Sequence, residues 1–394
     1  MNFNYKIILS LCISCLFLIS ACDKFSKKNE IKKTTKKIEK VDSTITVTFS
    51  AVGDLMCHTT QYNYAWVKKD SFDFEPVFSV IGDYLREKDI LIGNLEVVLA
   101  GETNKYSGYP FFNTPNQFAE ALKNAGFDFL VTANNHSNDQ GYEGVKRTLE
   151  VLKKNNIISI GTNFIDSVEA PKIYVRKGLR FGLLNYTYGT NFHKKEDKPR
   201  SYVNHINFKK IKSDIELLKE KNAELIIVFY HFGKEYERTI NAFQRKVVDA
   251  TISYGADIIL GSHPHVVQGF EKFKTQNANL DTGLVIFSLG NFISNQRWRY
   301  SDGGLIFNFN VTKNIFTDSV YVSEDNYLPI WVFKSDKEIK DKKYIILYAE
   351  ENPDTNIYNF LTSADVDSMR KSYNDTQQLI NSHSYFIKED NFEK

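Results

Sequence analysis

The stretch DIILGSHPH, residues 257–265, decides the fold. Ile258, Ile259 and Leu260 are apolar on both faces of an extended chain, which reads as a buried strand. The strand then stops on Gly261-Ser262 and two histidines. Working outward, four more runs end in the same way. TVTFSAVGD (46–54) ends on Asp54, DILIGNLE (89–96) on Glu96, FDFLVTANNH (127–136) on Asn135 and His136, and LIIVFYH (225–231) on His231. In an open α/β sheet, side chains just past the carboxyl ends of the strands converge on one crevice. One Asp, one Glu, one Asn and four His meeting there outline a dinuclear metal site.

Each position has a chemical role and an ordinary alternative. Asp54 is a metal ligand or the cap of the following loop. Glu96 is a carboxylate bridging two divalent ions, which need an anion between them, or a surface acid. Asn135 offers a neutral oxygen. His136, its neighbour, faces another way in an extended chain and reads as an acid or anion clamp. Asp139 either orients that imidazole and sets its tautomer or caps the helix ahead. His231 is a ligand or a hydrogen-bonded core residue. His263 and His265, two apart, point to one side of an extended segment, and Pro264 favours that conformation for His263. Asn291, in SLGNF, sits in a loop that could reach the site. His193, His205 and His383 lack such a context and read as surface residues.

Around these runs the chain alternates strand, loop and helix. Helices are predicted at 77–86, 115–125 (stopped by Gly126), 144–155, 208–221 and 242–254, and further strands at 157–160, 172–175 and 181–185. Residues 101–115, with Gly, Tyr and Pro, form a loop over the site. Strands at 283–289 and 304–310 flank Gly290-Asn291. Beyond about 313 come two more strand-like segments and a helix over 359–380. The main domain is read as 45–313, and 314–394 as an extension packed on it.

The amino terminus reads as an address. Lys6 precedes an apolar stretch, Ile7 to Ile19, too short for a bilayer span, and Ile19-Ser20-Ala21-Cys22 has the form of a bacterial lipoprotein signal. Cleavage would leave Cys22 lipidated; the alternative is an ordinary secretory signal. Residues 23–44 form a tether, with eight Lys against three acids between Asp23 and Lys40. Such a segment cannot bury apolar surface, and serves as a spacer or touches anionic headgroups. With Cys12 and Cys15 in the signal, the mature chain keeps Cys22 and Cys57, which leaves no internal disulfide if Cys22 carries lipid. A formal charge of +2 over 394 residues gives no reason to expect nucleic acid.

The stretches AVGDLM (51–56), GNLE (93–96), TANNHSNDQG (132–141), HFGKEY (231–236), GADIILGSHPHVVQG (255–269) and FSLGNF (287–292) together resemble the bacterial capsule-synthesis proteins of poly-γ-glutamate capsules (CapA-type). That family looks like a branch of the calcineurin-like metallophosphoesterases. The resemblance spans roughly residues 47–295 and implies an α/β fold, an αββα sandwich with metals at the strand ends. It places Asp54, Glu96, Asn135, His231, His263 and His265 at ligand positions and His136 at the acid beside the Asn. Two divalent ions (Mn, Zn or Fe) are the implied cofactors. The chain departs from the superfamily where Met56 stands in place of a ligand His two residues after the first Asp, with Cys57 and His58 out of spacing, and where Glu96 replaces an Asp. Two functions follow as expectations. One is a lipid-anchored hydrolase in the cell envelope, cutting a phosphoester or γ-glutamyl amide of an envelope or capsule polymer. The other is a non-catalytic factor that binds an anionic polymer for export, with the membrane and other capsule-synthesis proteins as partners.

Overall fold

In the computed structural model, the apolar runs become the central strands of two stacked sheets. The structure describes residues 43–164, 169–191, 202–278, 280–335, 343–382 and 385–386. The signal segment with Cys22, nearly all of the tether, His193 and His383 lie outside the described residues.

In chain order the elements are β1 (Thr44–Leu55), α1 (Thr59–Ala65), a small hairpin of β2 (Trp66–Lys68) and β3 (Ser71–Phe72), α2 (Gly82–Arg86), β4 (Ile90–Leu95), α3 (Gln117–Asn124), β5 (Phe129–Val131), α4 (Gly141–Lys154), β6 (Ile158–Ile160), β7 (Ile173–Arg176) and β8 (Leu179–Thr187). There follow α5 (Phe208–Glu220), β9 (Leu225–His231), α6 (Ala242–Tyr254), β10 (Ile258–Ser262), β11 (Phe270–Lys274), β12 (Thr282–Ile286), β13 (Asn291–Ile293), β14 (Gly303–Asn314), β15 (Val320–Lys334), β16 (Tyr344–Tyr348), α7 (Ser363–Ser382) and β17 (Tyr385–Phe386). One sheet runs β16-β15-β14-β1-β4-β5-β6, with β13 paired to the end of β1; the other runs β17-β11-β12-β10-β9-β8-β7. Strands β1, β4, β5 and β6 are parallel neighbours, as are β8, β9, β10 and β12.

Strand alternation explains the layers. On β9, Leu225, Ile227 and Phe229 enter the core between the sheets with Phe49, Ile92, Phe181 and Ile258. Their neighbours Ile226, Val228 and Tyr230 face outward against Ile215 of α5 and Val248 of α6. The first sheet's outer face, with Leu91 and Leu130, packs against Phe118 and Leu122 of α3 and Leu152 of α4. The result is helix, sheet, sheet, helix. The same parity sends Asn94, Glu96 and His231 towards the space between the sheets, at its carboxyl-end rim.

Several expectations need correction. The helix predicted at 77–86 is a tight turn at Glu75–Phe78, where Ser79 N donates to Pro76 O three residues back, followed by the short α2. Helix α1 has no apolar period to betray it and starts instead from a reciprocal His58–Gln61 cap. Strand β11 reads Phe-Glu-Lys-Phe-Lys, with Phe270 and Phe273 in different core layers, and is held by antiparallel pairing to β12. Beyond residue 313, read as an extension packed on the main domain, β14 runs to Asn314 and turns into β15, and the two pair over most of their length within the first sheet. His205 is partly buried, bridged by its backbone to Thr187.

Candidate metal centre

Three of the predicted residues owe their place to strand geometry alone. Asp54 lies at the end of β1, level with Asn94 of β4 and Asn291 of β13. Gly53 permits this, because a Cβ there would lie 1.9 Å from Gly290 O. Glu96 follows β4 directly, and His231 closes β9 opposite Ser262 of β10.

The histidines after β10 arrive differently from expectation. Neither is extended: His263 has φ +98° and His265 φ +58°. Left-handed backbone at a non-glycine residue costs about 1–3 kcal/mol and persists only when the surroundings hold it. The turn still brings both rings into the site, their centroids 6.1 Å apart.

These side chains form two ligand groups that share one carboxylate. Asp54, Glu96 and His265 make one and Glu96, His231 and His263 the other; within each group the candidate ligand atoms lie within 4.8 Å of one another. All five are buried. His265 Nδ1 is 2.9 Å from Asp54 Oδ2 and 3.1 Å from Asn291 Oδ1, so the SLGNF loop does reach the site. Asn135 Oδ1 is 2.7 Å from His231 Nε2 and adds a neutral oxygen to the second group. Met56, two residues past Asp54, is buried in the apolar layer of the first sheet, its sulfur 3.7 Å from Ser294 Oγ. Cys57 and His58 join neither group. Burial pushes the Cys57 thiol up. His58, pushed down to about 4 by burial, contacts Gln61 and Asn295 N.

The electrostatics fit divalent ions. Burial raises the Glu96 carboxyl, and the Asp54 charge raises it further, well above the usual range. Burial also acts upward on Asp54, but the His265 imidazole and the Asn94 amide bring it below its ordinary value. Burial, then neighbouring imidazoles, hold His231 well down and His263 at about 3. Both are therefore neutral at pH 7, the form that binds metal. Glu96 Oε1 lies 3.5 Å from His231 Nε2 and 3.8 Å from His265 Nε2 without a hydrogen bond, and His263 Nδ1 also lacks one. A buried polar atom without a partner costs about 1–3 kcal/mol; here the two belong to one cluster of imidazoles and carboxylates, the donor set of Mn, Zn or Fe.

His136 turns away from its neighbour Asn135. Its Nδ1 is 2.8 Å from Asp139 Oδ2, which also accepts Phe112 N at 2.7 Å. Phe112 packs edge-on to the imidazole with centroids 4.7 Å apart, so the 101–115 loop does border the site. Asp139 thus positions the ring and the loop together. It holds a proton on Nδ1 and leaves Nε2 for other work.

Two residues escaped the sequence reading. Asn94 Nδ2 donates to Asp54 Oδ1 (2.8 Å) and Glu96 Oε2 (3.4 Å) and lies 3.2 Å from His231 Nδ1. Strand alternation gave the signal, because Asn94 and Glu96 are two apart on one face. Asn134 ties the 132–137 turn to β4 through Leu95 O and Asn94 Oδ1, a contact that only the fold reveals.

The family described as bacterial capsule synthesis protein PGA_cap matches residues 48–296. The chain belongs to this family. It is 32% identical over 273 residues to the capsule biosynthesis protein CapA of Bacillus anthracis, covering 66% of this chain and 63% of that protein. It is 28% identical over 278 residues to the PGA biosynthesis protein CapA of Bacillus subtilis, covering 67% and 68%. The aligned part thus spans just under two thirds of the anthracis relative. Among solved structures, a phosphatase from Mycoplasma pneumoniae aligns with TM-score 0.44 and 15% identity, covering 73% of this chain and 94% of that one. All six expected ligands, with His136 and Asp139, fall inside the family match. No helix among the described residues is long and apolar enough to cross a membrane.

Proposed function

We propose that this capsule-synthesis family member is a metal-dependent hydrolase of an envelope or capsule polymer, anchored through lipid on Cys22 outside the cytoplasmic membrane. The observation that carries the reading is Glu96, a buried carboxylate common to two ligand groups, with one oxygen lacking a hydrogen bond between two imidazoles. Asp54, Glu96 and His265 would hold one divalent ion; Glu96, His231, His263 and Asn135 would hold the other. Such ions lower the pKa of bound water towards neutrality and offset negative charge on the scissile group.

The chain's own residues supply the remainder. His136, with Nδ1 protonated and bonded to Asp139, delivers a proton from Nε2 to the leaving oxygen or nitrogen. Asn94 keeps Asp54 and Glu96 in register. The walls of the two sheets exclude water from below. The bond cut is a phosphoester or a γ-glutamyl amide, and the envelope polymer, the membrane and other capsule-synthesis proteins are the partners in this reading.

The test is elemental analysis of the purified protein together with hydrolysis of a chromogenic phosphodiester and a γ-glutamyl oligomer. Divalent metal with turnover of either substrate supports the hydrolase. Bound metal without turnover, with an anionic polymer retained in the cleft, replaces it with the non-catalytic assembly role. For the anchor, Cys22→Ser should release the protein from membranes or leave an unprocessed precursor; unchanged mass and membrane retention would refute it.

A further inference from the structure

Exposed aromatic rings ring the mouth of the metal-ligand cluster. Tyr109 is 74% exposed, Tyr188 44%, Tyr236 40% and Trp298 50%, and they come from four different loops. Each tyrosine packs near a buried site histidine, and Tyr188 near two, His231 as well as His263. The centroid distances are 6.4 Å for Tyr109 and His136, 4.6 Å for Tyr188 and His263, and 5.9 Å for Tyr236 and His265. Single exposed aromatics are ordinary, but a contiguous set around a functional cleft marks a recognition surface.

We propose that Tyr236 and Trp298 form a carbohydrate subsite, taking an uncharged sugar ring of the polymer next to the group held at Glu96. The proposal rests on reading the ligand cluster as the reacting centre, and it favours a phosphoester-linked glycan over a γ-glutamyl chain.

Shape gives the first argument. The Tyr236 and Trp298 rings meet at 76° with centroids 5.0 Å apart, a floor and a wall rather than a parallel slot. A planar base seeks a parallel slot. A puckered pyranose presents weakly positive C–H groups to the negative face of one ring and its edge to the other. The corner is also held in place. Tyr236 has φ +65°, its N donates to Pro264 O at 2.8 Å, and its hydroxyl accepts from Gln296 Nε2 at 3.2 Å.

Charge gives the second. Glu235, exposed and one residue before Tyr236, sets a carboxylate beside the corner, and Glu96 adds a second acidic group near Tyr188 and Tyr236. Lys234, the base beside Glu235, is paired with Glu237. A glutamyl carboxylate brought against Glu235 meets like charge, whereas sugar hydroxyls can donate to it.

The experiment uses chelator-stripped, full-length protein, so that sugar binding is read independently of hydrolysis. A neutral N-acetylglucosamine tetrasaccharide, a γ-glutamyl oligomer and adenosine are titrated by calorimetry. A Trp66→Phe background makes Trp298 the exposed tryptophan for emission. The tetrasaccharide should bind and shift that emission, and Tyr236→Ala or Trp298→Ala should each weaken it about tenfold. Both variants should keep wild-type Tm and reload metal normally. The subsite is overturned if the tetrasaccharide binds neither stripped nor Mn²⁺-loaded protein, or if its affinity is unchanged in both variants. It is overturned equally if adenosine or the γ-glutamyl oligomer is the ligand lost with Tyr236→Ala. Saccharide binding without hydrolysis of any substrate would leave the subsite standing and reject the hydrolase reading alone.

Discussion

The two ends of the parallel strands bury acidic groups in opposite ways. At the amino ends, Asp89 precedes β4, Asp128 β5, Glu224 β9 and Asp257 β10, and each accepts a backbone N–H from the strand beside it: Thr48, Leu91, Arg180 and Ile226 respectively. Two of the four also meet a lysine, Asp89 with Lys177 and Glu224 with Lys313. At the carboxyl ends, Asp54 and Glu96 meet imidazoles and an amide and lie beside one another; one oxygen of Glu96, like one of Asp257 at the other end, has no hydrogen bond. Carboxylates at the first end close the sheets' unpaired N–H groups, as any buried donor requires. At the second end Glu96 is buried beside the like charge of Asp54, which raises the energy of the metal-free fold and is the mark of a site kept for function.

The contrast predicts different responses to mutation, largest at Glu96, with loss of metal and turnover at the carboxyl ends and a change in stability alone at the amino ends. Glu96→Gln should abolish turnover and reduce metal in both groups. It should also raise the Tm of the metal-free protein, because an amide relieves the repulsion with Asp54. Calorimetry with and without Mn²⁺ reads both effects, and a lower metal-free Tm would break the comparison.

His136→Ala should cost about 10²–10⁴-fold in turnover while metal content stays near normal, as befits a general acid that is not a ligand. Full activity on a substrate that Glu96→Gln cannot process would remove the acid role. A smaller effect is expected at Met56. Met56→His offers a nitrogen donor two residues past Asp54 and should tighten binding in the Asp54–Glu96–His265 group, seen as a firmer second equivalent of metal. An unchanged second equivalent would mean that Met56's apolar surroundings keep a side chain there away from the ligands.

At the opposite end, the effect is on stability alone. Burial pushes the Asp257 carboxyl up to about 7, against about 3.9 when unfolded. A folded value raised in this way favours folding fully below the unfolded pKa, and that contribution is lost as pH rises through the folded value. Asp257→Asn keeps an acceptor for Ile226 N and cannot ionise. Its Tm advantage over wild type should open between about pH 4 and 7 and reach a few degrees, with metal content unchanged. A gap independent of pH would show that Asp257 is neutral or charged throughout.

Much of the site was legible because its residues follow strand ends. Asp54, Glu96 and His231 inherit their direction from a two-residue period, and the apolar runs announce where each strand stops. His263 and His265 were legible as candidate ligands but not in conformation. Their left-handed backbone is stabilised by the surrounding turn, and no local preference of His-Pro-His encodes it. The pairing of β15 with β14 across the boundary read at 313 was hidden for a related reason: a change in composition says nothing about whether the next strand pairs with the last.

The sequence by itself determined the layered α/β architecture, the family and the ring of candidate metal-ligand residues, because alternation and chain order are local properties that survive without neighbours. Only the tertiary structure decided that Glu96 serves two groups at once, that Asn94 links them, that Met56 is buried among apolar side chains, and that four aromatic residues from separate loops meet above the histidines. Those are contacts between segments tens to hundreds of residues apart. Their geometry is set by how two sheets pack and where loops cross, which no single stretch of chain carries.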